Sequence, residues 1–429
     1  MSNKCSPKSN TMIDLSRLFI INPPRDIFTL NKEKVSYNLF LIGLVIAFFG
    51  SLNPWFMWRI GQFYALLACG FVIGSMMISA TMKKTIFDWD NYLFSIIAYI
   101  VLIYYQSFVN EQNLTSYIFH LFNICIFYSL FRINKKGLYR LSTILAKSMA
   151  IILSISIPFF ALYILGFPLP SINANFGELY TFSNYFFFLI DDRDLFTIIP
   201  RFQAIFLEPG QMGTATALLL LMQHGQWKKW YNIILIIGTL MSFSLAAYVL
   251  FIVAVFLNLW MQGKDIIKKL CISVAIIATV VIGSFYYNDG FNLVHDLIVI
   301  RMEIEDGEMA GDNRIQKDTQ AEYETFLQSS DIIFGKNFER EWGGAGYKMF
   351  FLDYGIVGIL LLAAFYIISL HSPNKRAYIS ALIIGTLNFA VRDFPLWYAF
   401  YVPLLCTSRN SSITYIGDTD SNNVNKEES

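Results

Sequence analysis

Long apolar runs separated by short polar segments constrain this chain more than any other feature of its sequence. Hydrophobic residues make up 55% of its 429 residues and charged residues only 15%, a composition that is rare in soluble proteins of this length. We therefore predict an all-α, polytopic integral membrane protein with about twelve transmembrane helices, since each helix needs roughly 20 apolar residues. The predicted spans are 37–54, 61–80, 91–108, 114–132, 145–166, 204–222, 231–243, 245–262, 270–287, 349–370, 377–391 and 395–407.

Lys and Arg residues indicate the orientation of the predicted spans, because they collect in the cytoplasmic loops of membrane proteins. If the N-terminus is cytoplasmic, only ten of the 32 Lys and Arg residues lie in outward segments. This bias predicts an even number of spans with both termini in the cytoplasm. The ten outward residues are Arg59, Arg193, Arg201, Arg301, Arg314, Lys317, Lys336, Arg340, Lys348 and Arg392.

The whole chain, 1–429, is predicted to form a single membrane domain. Its cytoplasmic N-terminal segment, 1–36, is polar and lacks the cleavage pattern of a signal peptide, and segment 408–429 is expected to be a flexible cytoplasmic tail. The two large connections, 168–203 and 288–348, are both predicted to lie on the outer side of the membrane. Long loops in a compact protein usually carry function, so we expect the outer face to be the working face.

Composition and residue spacing argue against several classes of function. The net charge is only +1 and basic residues do not cluster with aromatic ones, so no nucleic-acid partner is expected. The five cysteines fall in apolar runs or in segments assigned to the cytoplasm, which indicates neither a disulfide framework nor a thiolate metal site. The spacing of His and carboxylate residues does not match a metal site either. We expect no metal and no cofactor.

A polar segment that contains an arginine and a glutamate leads into the predicted span 204–222. Pro209 favours a helix start directly after Glu208, because the missing N–H of proline costs nothing in the first turn. One interpretation is that Arg201, together with the positive end of this helix, binds a phosphate or diphosphate group. The other is an interfacial arginine that forms a structural salt bridge with Glu208. Ionisable groups at membrane depth are costly and tend to mark functional sites.

The second outward segment carries further cations among many carboxylates. Residues 314–326 show helical spacing of their apolar positions and predict a short amphipathic helix that begins at Arg314. Most of the charges there are expected to form its solvated face. His295 lies on an apolar stretch, where a packed side chain is a commoner role than a catalytic base. The cations of this segment are Arg301, Arg314, Lys317, Arg340 and Lys348.

Two shorter features interrupt the apolar pattern. Ser242 and Ser244 break the apolar stretch 231–262. They either cap a helix at an outer turn, which makes two spans of this stretch, or bond back onto the preceding helix without a turn. Arg392 and Asp393 follow the span 377–391 and are expected to form a structural ion pair.

Three segments of the chain follow one another in an informative order. The first is Arg201-Phe-x-x-x-Phe-x-Glu208-Pro209, and the second is the serine-containing stretch 240–244. The third combines the helix 314–326, the Phe-Gly turn at 333–335 and the glycine pair in 352–358. Together they resemble Wzy-type polysaccharide polymerases of the O-antigen polymerase/ligase superfamily. The resemblance covers roughly residues 195–370.

This resemblance implies a GT-C-like membrane fold and a metal-independent glycosyltransferase in the bacterial inner membrane. Such an enzyme transfers a growing glycan from one undecaprenyl diphosphate carrier to the next lipid-linked repeat unit, and diphosphate leaves. The implied partners are undecaprenyl-diphosphate-linked oligosaccharide and membrane lipids, with a chain-length regulator as a further candidate. The reaction needs a base near the acceptor hydroxyl and fixed cations near the leaving group.

Charge and placement then suggest roles for the candidate residues. Arg201 and Arg314 would neutralise the diphosphate, while Glu208 would either orient Arg201 or accept the proton of the acceptor hydroxyl. The supporting group for diphosphate or substrate binding is Arg301, Lys317, Arg340, Lys348, Ser244 and Tyr248.

Two alternative functions remain open at the level of the sequence. The first is an O-antigen ligase, but the ligases of this superfamily carry a histidine before the final glycine pair, and segment 342–348 has none. The second is a transporter or flippase for polysaccharide or lipid-linked sugar, which the span count permits. Transporters often place ionisable residues at mid-bilayer on broken helices in two similar halves. Here the charges concentrate at the outer ends of the spans, and the two halves differ.

Overall fold

The computed structural model describes residues 25–82, 85–88, 92–111, 114–177, 180–192, 199–263, 282–287, 304–305, 308–309, 317–336, 346–392 and 394–410, together with single residues between 268 and 279. This part of the chain is mostly helical. The helices are α1 (Arg25–Gly50), α2 (Phe63–Ala80), α3 (Leu93–Val109), α4 (Leu114–Arg132), α5 (Lys135–Ile164), α6 (Pro209–Met222), α7 (Trp230–Met241), α8 (Leu245–Gln262), α9 (Lys317–Leu327), α10 (Tyr347–Ser369), α11 (Lys375–Val391) and α12 (Tyr398–Asn410). The strands are β1 (Ile172–Phe176), β2 (Tyr180–Asn184), β3 (Leu189–Asp191), β4 (Ile304–Glu305) and β5 (Glu308–Met309).

Six described helices are long and apolar enough to cross a membrane, and α3 and α7 are shorter apolar helices. The chain is therefore a helical, membrane-embedded protein. Each predicted span contains one described helix, except 270–287, which lies largely outside the described residues. The total of twelve spans stays a prediction. The six long apolar segments are Lys32–Gly50, Phe63–Ala80, Leu114–Arg132, Lys135–Ile164, Leu245–Gln262 and Tyr347–Ser369.

Two short helices, α6 and α12, form the centre of the bundle. Every residue of α12 is buried, and so is every residue of α6 except Gly210. A helix that is buried on all sides must be surrounded by other helices. Helix α12 indeed packs against α1, α5, α6 and α11. Instead of the flexible tail expected from residue 408, the chain continues as buried helix as far as Asn410.

Segments that are predicted to share one side of the membrane contact one another at one end of the bundle. The Asn134 side chain accepts a hydrogen bond from the Tyr37 hydroxyl at 2.9 Å. The buried Arg409 guanidinium donates to the carbonyls of Phe131 and Ser369, where a cation also complements the negative ends of α4 and α10. At the opposite end, the Ala399 N–H donates to Ser51 Oγ. These contacts join segments that the prediction places on the same side, while the orientation of the termini stays a prediction.

The first outward segment contains a small sheet, which corrects the expectation of an all-α fold. Strands β1, β2 and β3 form an antiparallel sheet in chain order, and the two-residue strands β4 and β5 form a second pair. The indole of Trp58 packs on Phe176 of β1 and Phe182 of β2, at ring distances of 5.2 and 5.4 Å. Aromatic side chains on one face therefore hold the sheet against the turn that follows α1.

The serine-containing stretch is a tight turn between α7 and α8, as one of the two predictions required. Ser244 caps α8 and accepts a hydrogen bond from the Ala247 N–H, while Ser242 bonds back to the Thr239 carbonyl at 2.7 Å. Phe243 between them has a φ of 44°. Both predicted behaviours of serine therefore occur in one turn, because one serine ends α7 and the other starts α8.

The amphipathic helix predicted in the second outward segment is present as α9. Its Phe326 is buried against Phe351 of α10, with the rings 5.4 Å apart. The positions of 314–316 at its predicted start lie outside the described residues. The apolar spacing of this segment thus serves to dock α9 on α10.

Helix α10 is broken at Gly355, and a turn from another segment completes its hydrogen bonds. Gly355 has φ 60° and ψ −165°, a conformation that is essentially restricted to glycine. The Val357 N–H donates to the Ile333 carbonyl at 3.0 Å, and the Lys336 N–H donates to the Leu352 carbonyl at 2.9 Å. The turn at 333–336 therefore takes the place of helical residues that the break removes.

The inserted turn is held by close backbone contact and by one tyrosine. A Cβ on Gly355 would lie 2.5 Å from the Gly335 nitrogen, so the two glycines are needed for the approach. The Tyr105 hydroxyl of α3 lies 2.7 Å from the Phe334 carbonyl and 3.0 Å from the Tyr354 carbonyl. One hydroxyl thus joins α3, the turn and the broken helix.

We expect Gly355→Ala to lower the stability of the protein by at least about 1–3 kcal/mol, because alanine cannot adopt this backbone conformation without strain. The measurement is the thermal unfolding midpoint of the purified protein in detergent. The control is Gly70→Ala on α2, where an added Cβ meets no atom within 4 Å. Gly70→Ala should leave the midpoint unchanged or raise it slightly. Equal midpoints for the two variants would contradict the role assigned to the inserted turn.

Candidate functional site

Glu208 of the first motif lies at the N-terminal end of α6, called here its mouth, directly before the helix begins. Glu208 has extended backbone angles, and Pro209 occupies the first helical turn, as predicted. The Glu208 carboxylate makes no hydrogen bond to the N–H groups of the helix. It is therefore not the ordinary acidic cap of a helix N-terminus, and its oxygens are available for other side chains.

The carboxylate of Glu208 binds two side chains from distant parts of the chain. Its Oε2 atom lies 3.0 Å from Nη1 of Arg392, and its Oε1 atom accepts a hydrogen bond of 3.1 Å from the Tyr180 hydroxyl. Tyr180 begins β2, and Arg392 directly follows α11. The small sheet and the end of α11 therefore meet at the mouth of α6.

Close packing brings the Arg392 guanidinium over the first turn of α6. A Cβ on Gly210 would overlap Nη2 of Arg392, and it would lie 3.4 Å from Ser244 Oγ. One turn further along, a Cβ on Gly213 would lie 2.6 Å from Ser242 Oγ. Glycine at these two positions lets both the arginine and the serine-containing turn approach the helix. The structure thus brings Glu208 and Ser244 together and adds Arg392 to them.

Arg392 is a cation in a mostly buried position. Only 9% of its side-chain surface is exposed, compared with 27% for Glu208. Its Nε atom is buried and has no hydrogen-bond partner within the described part of the chain. Buried donors of this kind are normally satisfied by protein, water or ligand. The guanidinium therefore retains binding capacity at the mouth of α6 beyond its pair with Glu208.

Buried polar atoms without a hydrogen-bond partner occur at several places in the described structure, and some of them belong to segments that lead to this mouth. They include the Gln203 amide, Oε1 of Gln211, and both amide atoms of Asn388, which lies one helical turn before Arg392. Polar groups that remain unpaired in an apolar bundle are costly. Their occurrence on three segments that lead to the Glu208–Arg392 pair is typical of a site that binds a polar ligand or ordered water.

Backbone hydrogen bonds from three sides fix the segment that joins Arg201 to Glu208. The Phe202 N–H donates to the Met241 carbonyl, the Leu189 N–H to the Ala204 carbonyl, and the Trp55 N–H to the Ile205 carbonyl. The two phenylalanines of the motif are fully buried. These are Phe202, which packs against Phe160, and Phe206, which stacks on Phe49. The motif therefore anchors the segment through its aromatic residues and presents Glu208 at its end.

The remaining sequence-predicted residues occupy different positions. Arg201 is half-buried at the start of the anchored segment, and the ion pair that Glu208 forms is with Arg392. The Tyr248 hydroxyl donates to the Leu240 carbonyl, so it ties α8 to the end of α7. Lys348 donates to Gln320 Oε1 at 3.2 Å and lies over the Tyr323 ring, where it joins α10 to α9.

Several predicted residues cannot be compared with the structure. Lys317 begins α9, but its side chain lies outside the described part of the chain. Arg301, Arg314, Arg340, His295 and Asp393 also lie outside it. In the described residues, no group of three or more His, Cys, Asp or Glu side chains could hold a metal ion.

Tyr180 and Arg392 are the two contributors that the sequence did not assign to the site. Arg392 was expected to pair with its neighbour Asp393, and Tyr180 carried no motif. The only local signal for Arg392 is its charge within a largely apolar stretch. Neither residue is close to Glu208 in sequence, so only the packing of α11 and β2 reveals them.

Helix α6 has 14 residues and therefore rises about 21 Å, which is less than the roughly 30 Å of a hydrocarbon core. The ion pair at its mouth is largely buried. Such a pair is screened far less by salt than one at the surface.

Protein-family models, curated proteins and solved structures yield no match to this chain.

We expect the Glu208–Arg392 pair to stabilise the fold with a coupling energy of about 1–3 kcal/mol, because its partners are largely shielded from water. The measurement is a double-mutant cycle of Glu208→Gln and Arg392→Gln, with unfolding by SDS in mixed micelles. The matched control is the pair Lys136–Glu33, whose side chains are 60% and 36% exposed at 3.4 Å. Its coupling energy should stay below about 1 kcal/mol. Similar coupling energies for both pairs would contradict the burial argument.

Proposed function

We propose that this protein is a polymerase of undecaprenyl-diphosphate-linked oligosaccharide repeat units. The observation that carries the proposal is the buried Arg392 guanidinium at the N-terminal mouth of α6, paired with Glu208 at 3.0 Å. A buried cation beside the positive end of a helix favours an anion such as a diphosphate. The resemblance of the segment that ends in Glu208-Pro209 to Wzy-type polymerases supports the same assignment.

The chemistry asks little of the protein beyond positioning and charge. A hydroxyl of the incoming unit attacks the anomeric carbon of the growing glycan, the bond to the lipid diphosphate breaks, and the hydroxyl proton passes to a base. The energy is stored in the donor, so no nucleotide is required. Fixed cations stabilise the charge that develops on the departing diphosphate. We assign this role to Arg392 and Arg201, with Arg314 and the supporting cations Arg301, Lys317, Arg340 and Lys348 from the second outward segment.

Glu208 has two roles open to it in this mechanism. Both carboxylate oxygens already accept hydrogen bonds, from Tyr180 and Arg392, which favours a positioning role for the guanidinium. Each oxygen still has a further lone pair, and a quarter of the side chain is exposed, so it can also accept a proton. The structure changes the partner that Glu208 would orient from Arg201 to Arg392.

Deletion of the gene tests the proposed function. We expect cells without the protein to carry a single repeat unit on their lipid acceptor, and the wild-type gene to restore the full ladder of chain lengths. A ligase would give a different result, with no repeat on the acceptor and an accumulation of lipid-linked polymer. A transporter would leave lipid-linked single units on the cytoplasmic side of the membrane. Either of these two results would overturn the polymerase assignment.

Substitutions of Arg392 or Arg201 should reduce polymerisation by about 100-fold, which is the size of effect seen when one charge-stabilising donor is lost. We expect Arg392→Gln and Arg201→Lys to be strongly impaired, the latter because lysine lacks the planar fork that binds two oxygens. The measurement is the rate of polymer formation by purified protein with lipid-linked repeat units. Normal polymer from Arg392→Gln would contradict its assigned contact with diphosphate.

The two roles of Glu208 predict different activity and donor binding for its Gln and Asp variants. A base predicts that Glu208→Gln loses activity at every pH although lipid-linked donor still binds. A positioning role predicts that Glu208→Gln weakens donor binding, while Glu208→Asp retains both binding and a wild-type pH profile. Wild-type chain length and rate in Glu208→Gln would exclude both roles.

A further inference from the structure

A polar cavity lies between α2, α3, α4, α10 and the segment before α12. Its volume is about 270 Å³, far more than the roughly 30 Å³ that one water molecule occupies. The wall combines two kinds of side chain. The polar ones are Gln62, Gln106, His120, Asn123 and Asp353, and the aromatic ones include Tyr64, Tyr99, Phe119, Phe394, Trp397 and Tyr398.

The charges of this wall differ from those at the mouth of α6. Among the described residues that line the cavity there is no Lys or Arg, and Asp353 is a buried carboxylate. A phosphate or another anion would meet an unfavourable potential here. The amides of Gln62, Gln106 and Asn123 disfavour a lipid tail, because a hydrocarbon cannot satisfy their hydrogen bonds. The wall therefore suits a neutral, hydroxyl-rich ligand.

Two contacts hold side chains of the cavity wall in orientations that suit such a ligand. Phe394 and Trp397 stack with their ring centroids 4.4 Å apart and 11° between their planes, which holds both rings in a fixed orientation. The Asn123 Oδ1 atom accepts a hydrogen bond of 2.6 Å from the Tyr398 hydroxyl. This bond fixes the amide and leaves its NH₂ group as a donor. A flat apolar face beside fixed hydrogen-bonding groups matches the two faces of a sugar ring.

One residue of the cavity wall is close in sequence to Arg392, the proposed diphosphate contact. Phe394 lies two residues after Arg392, and two residues of extended chain span at most about 7 Å. A sugar that is attached directly to a diphosphate at Arg392 would therefore be within reach of the cavity. The cation and the aromatic wall are carried by the same short segment.

We propose that this cavity is a binding site for a sugar residue of the lipid-linked oligosaccharide. The binding of a neutral saccharide follows from the wall itself, and only the identity of that saccharide rests on the proposed function. The outer face of Phe394, which Trp397 supports from behind, packs against the C–H face of the ring, while the amides of Asn123 and Gln106 bind its hydroxyls. Asp353 accepts hydrogen bonds from further hydroxyls.

Saturation-transfer NMR on the full chain in lipid nanodiscs tests this site. The probe is the repeat-unit oligosaccharide released by hydrolysis from the surface polysaccharide of the host cell, which has no lipid and no phosphate link. We expect wild-type protein to bind it, Trp397→Ala and Asn123→Asp to bind it at least tenfold more weakly, and Trp397→Phe to retain most of the binding. Asn123→Asp keeps the acceptor for Tyr398, so it changes the amide donor without removing that hydrogen bond.

The control is Tyr139→Ala, which removes an exposed aromatic ring on α5 that does not line the cavity. Unfolding midpoints identify any variant that has lost its fold, and such a variant is replaced by Gln106→Glu. Equal binding by wild type, Trp397→Ala and Asn123→Asp would overturn the proposal. So would displacement of the oligosaccharide by undecaprenyl phosphate, which carries no sugar and would identify a lipid site.

Deletion of the gene separates this inference from the proposed function. If cavity variants lose saccharide binding while cells without the gene keep the full ladder of chain lengths, the sugar site stands and the proposed function fails. If the deletion leaves a single repeat unit on the acceptor while cavity variants bind the saccharide as wild type does, the sugar site fails and the proposed function stands.

Discussion

Peptide groups inside a hydrocarbon layer have no water to bind, and the architecture of this protein follows from the need to pair them. A regular helix pairs its interior peptide groups with one another. Helix α10 does not, because it breaks at Gly355, and the turn at 333–336 supplies the missing donors and acceptors. The Tyr105 hydroxyl then reaches the carbonyls of both partners. An outward segment is in this way built into the bundle and becomes part of the wall beside α3.

The same constraint applies to the two short central helices. Because α6 and α12 are surrounded by other helices, the N–H groups at their N-terminal ends need partners from elsewhere in the chain. Ser51 supplies one partner to α12 through the Ala399 N–H. At α6 the neighbouring segments supply Arg392, Tyr180 and the serine-containing turn. Charged and polar side chains therefore meet at the N-terminal end of α6.

The segment between α11 and α12 connects two environments of opposite character. Arg392 at its start is a cation beside a helix N-terminus, and Phe394 and Trp397 further along form an aromatic wall with amides and one carboxylate. A lipid-linked glycan has the same two parts, an anionic diphosphate and a neutral sugar, joined by one bond. The spacing of the two environments along the chain accounts for how one ligand would engage both.

Much of this organisation is readable in the sequence, because each helix needs only a local apolar run and a local cap. The spans, the turn at 242–244, the helix start at Pro209 and the amphipathic helix α9 all depend on residues within a few positions of one another. The sequence did not indicate the sheet of the first outward segment, since its strands are short and their aromatic faces are buried only by the turn that contains Trp58.

The sequence by itself determined that this is a helical membrane protein and that Glu208 directly precedes a helix. Only the tertiary structure decided which cation Glu208 meets, because Arg392 is 184 residues away and reaches it through the packing of α11 against the centre of the bundle. The polar cavity could not be predicted from the sequence either, since its wall is assembled from four helices and a connecting segment. Side chains that are brought together by packing leave no common local pattern, and their chemistry becomes apparent only when the helices are assembled.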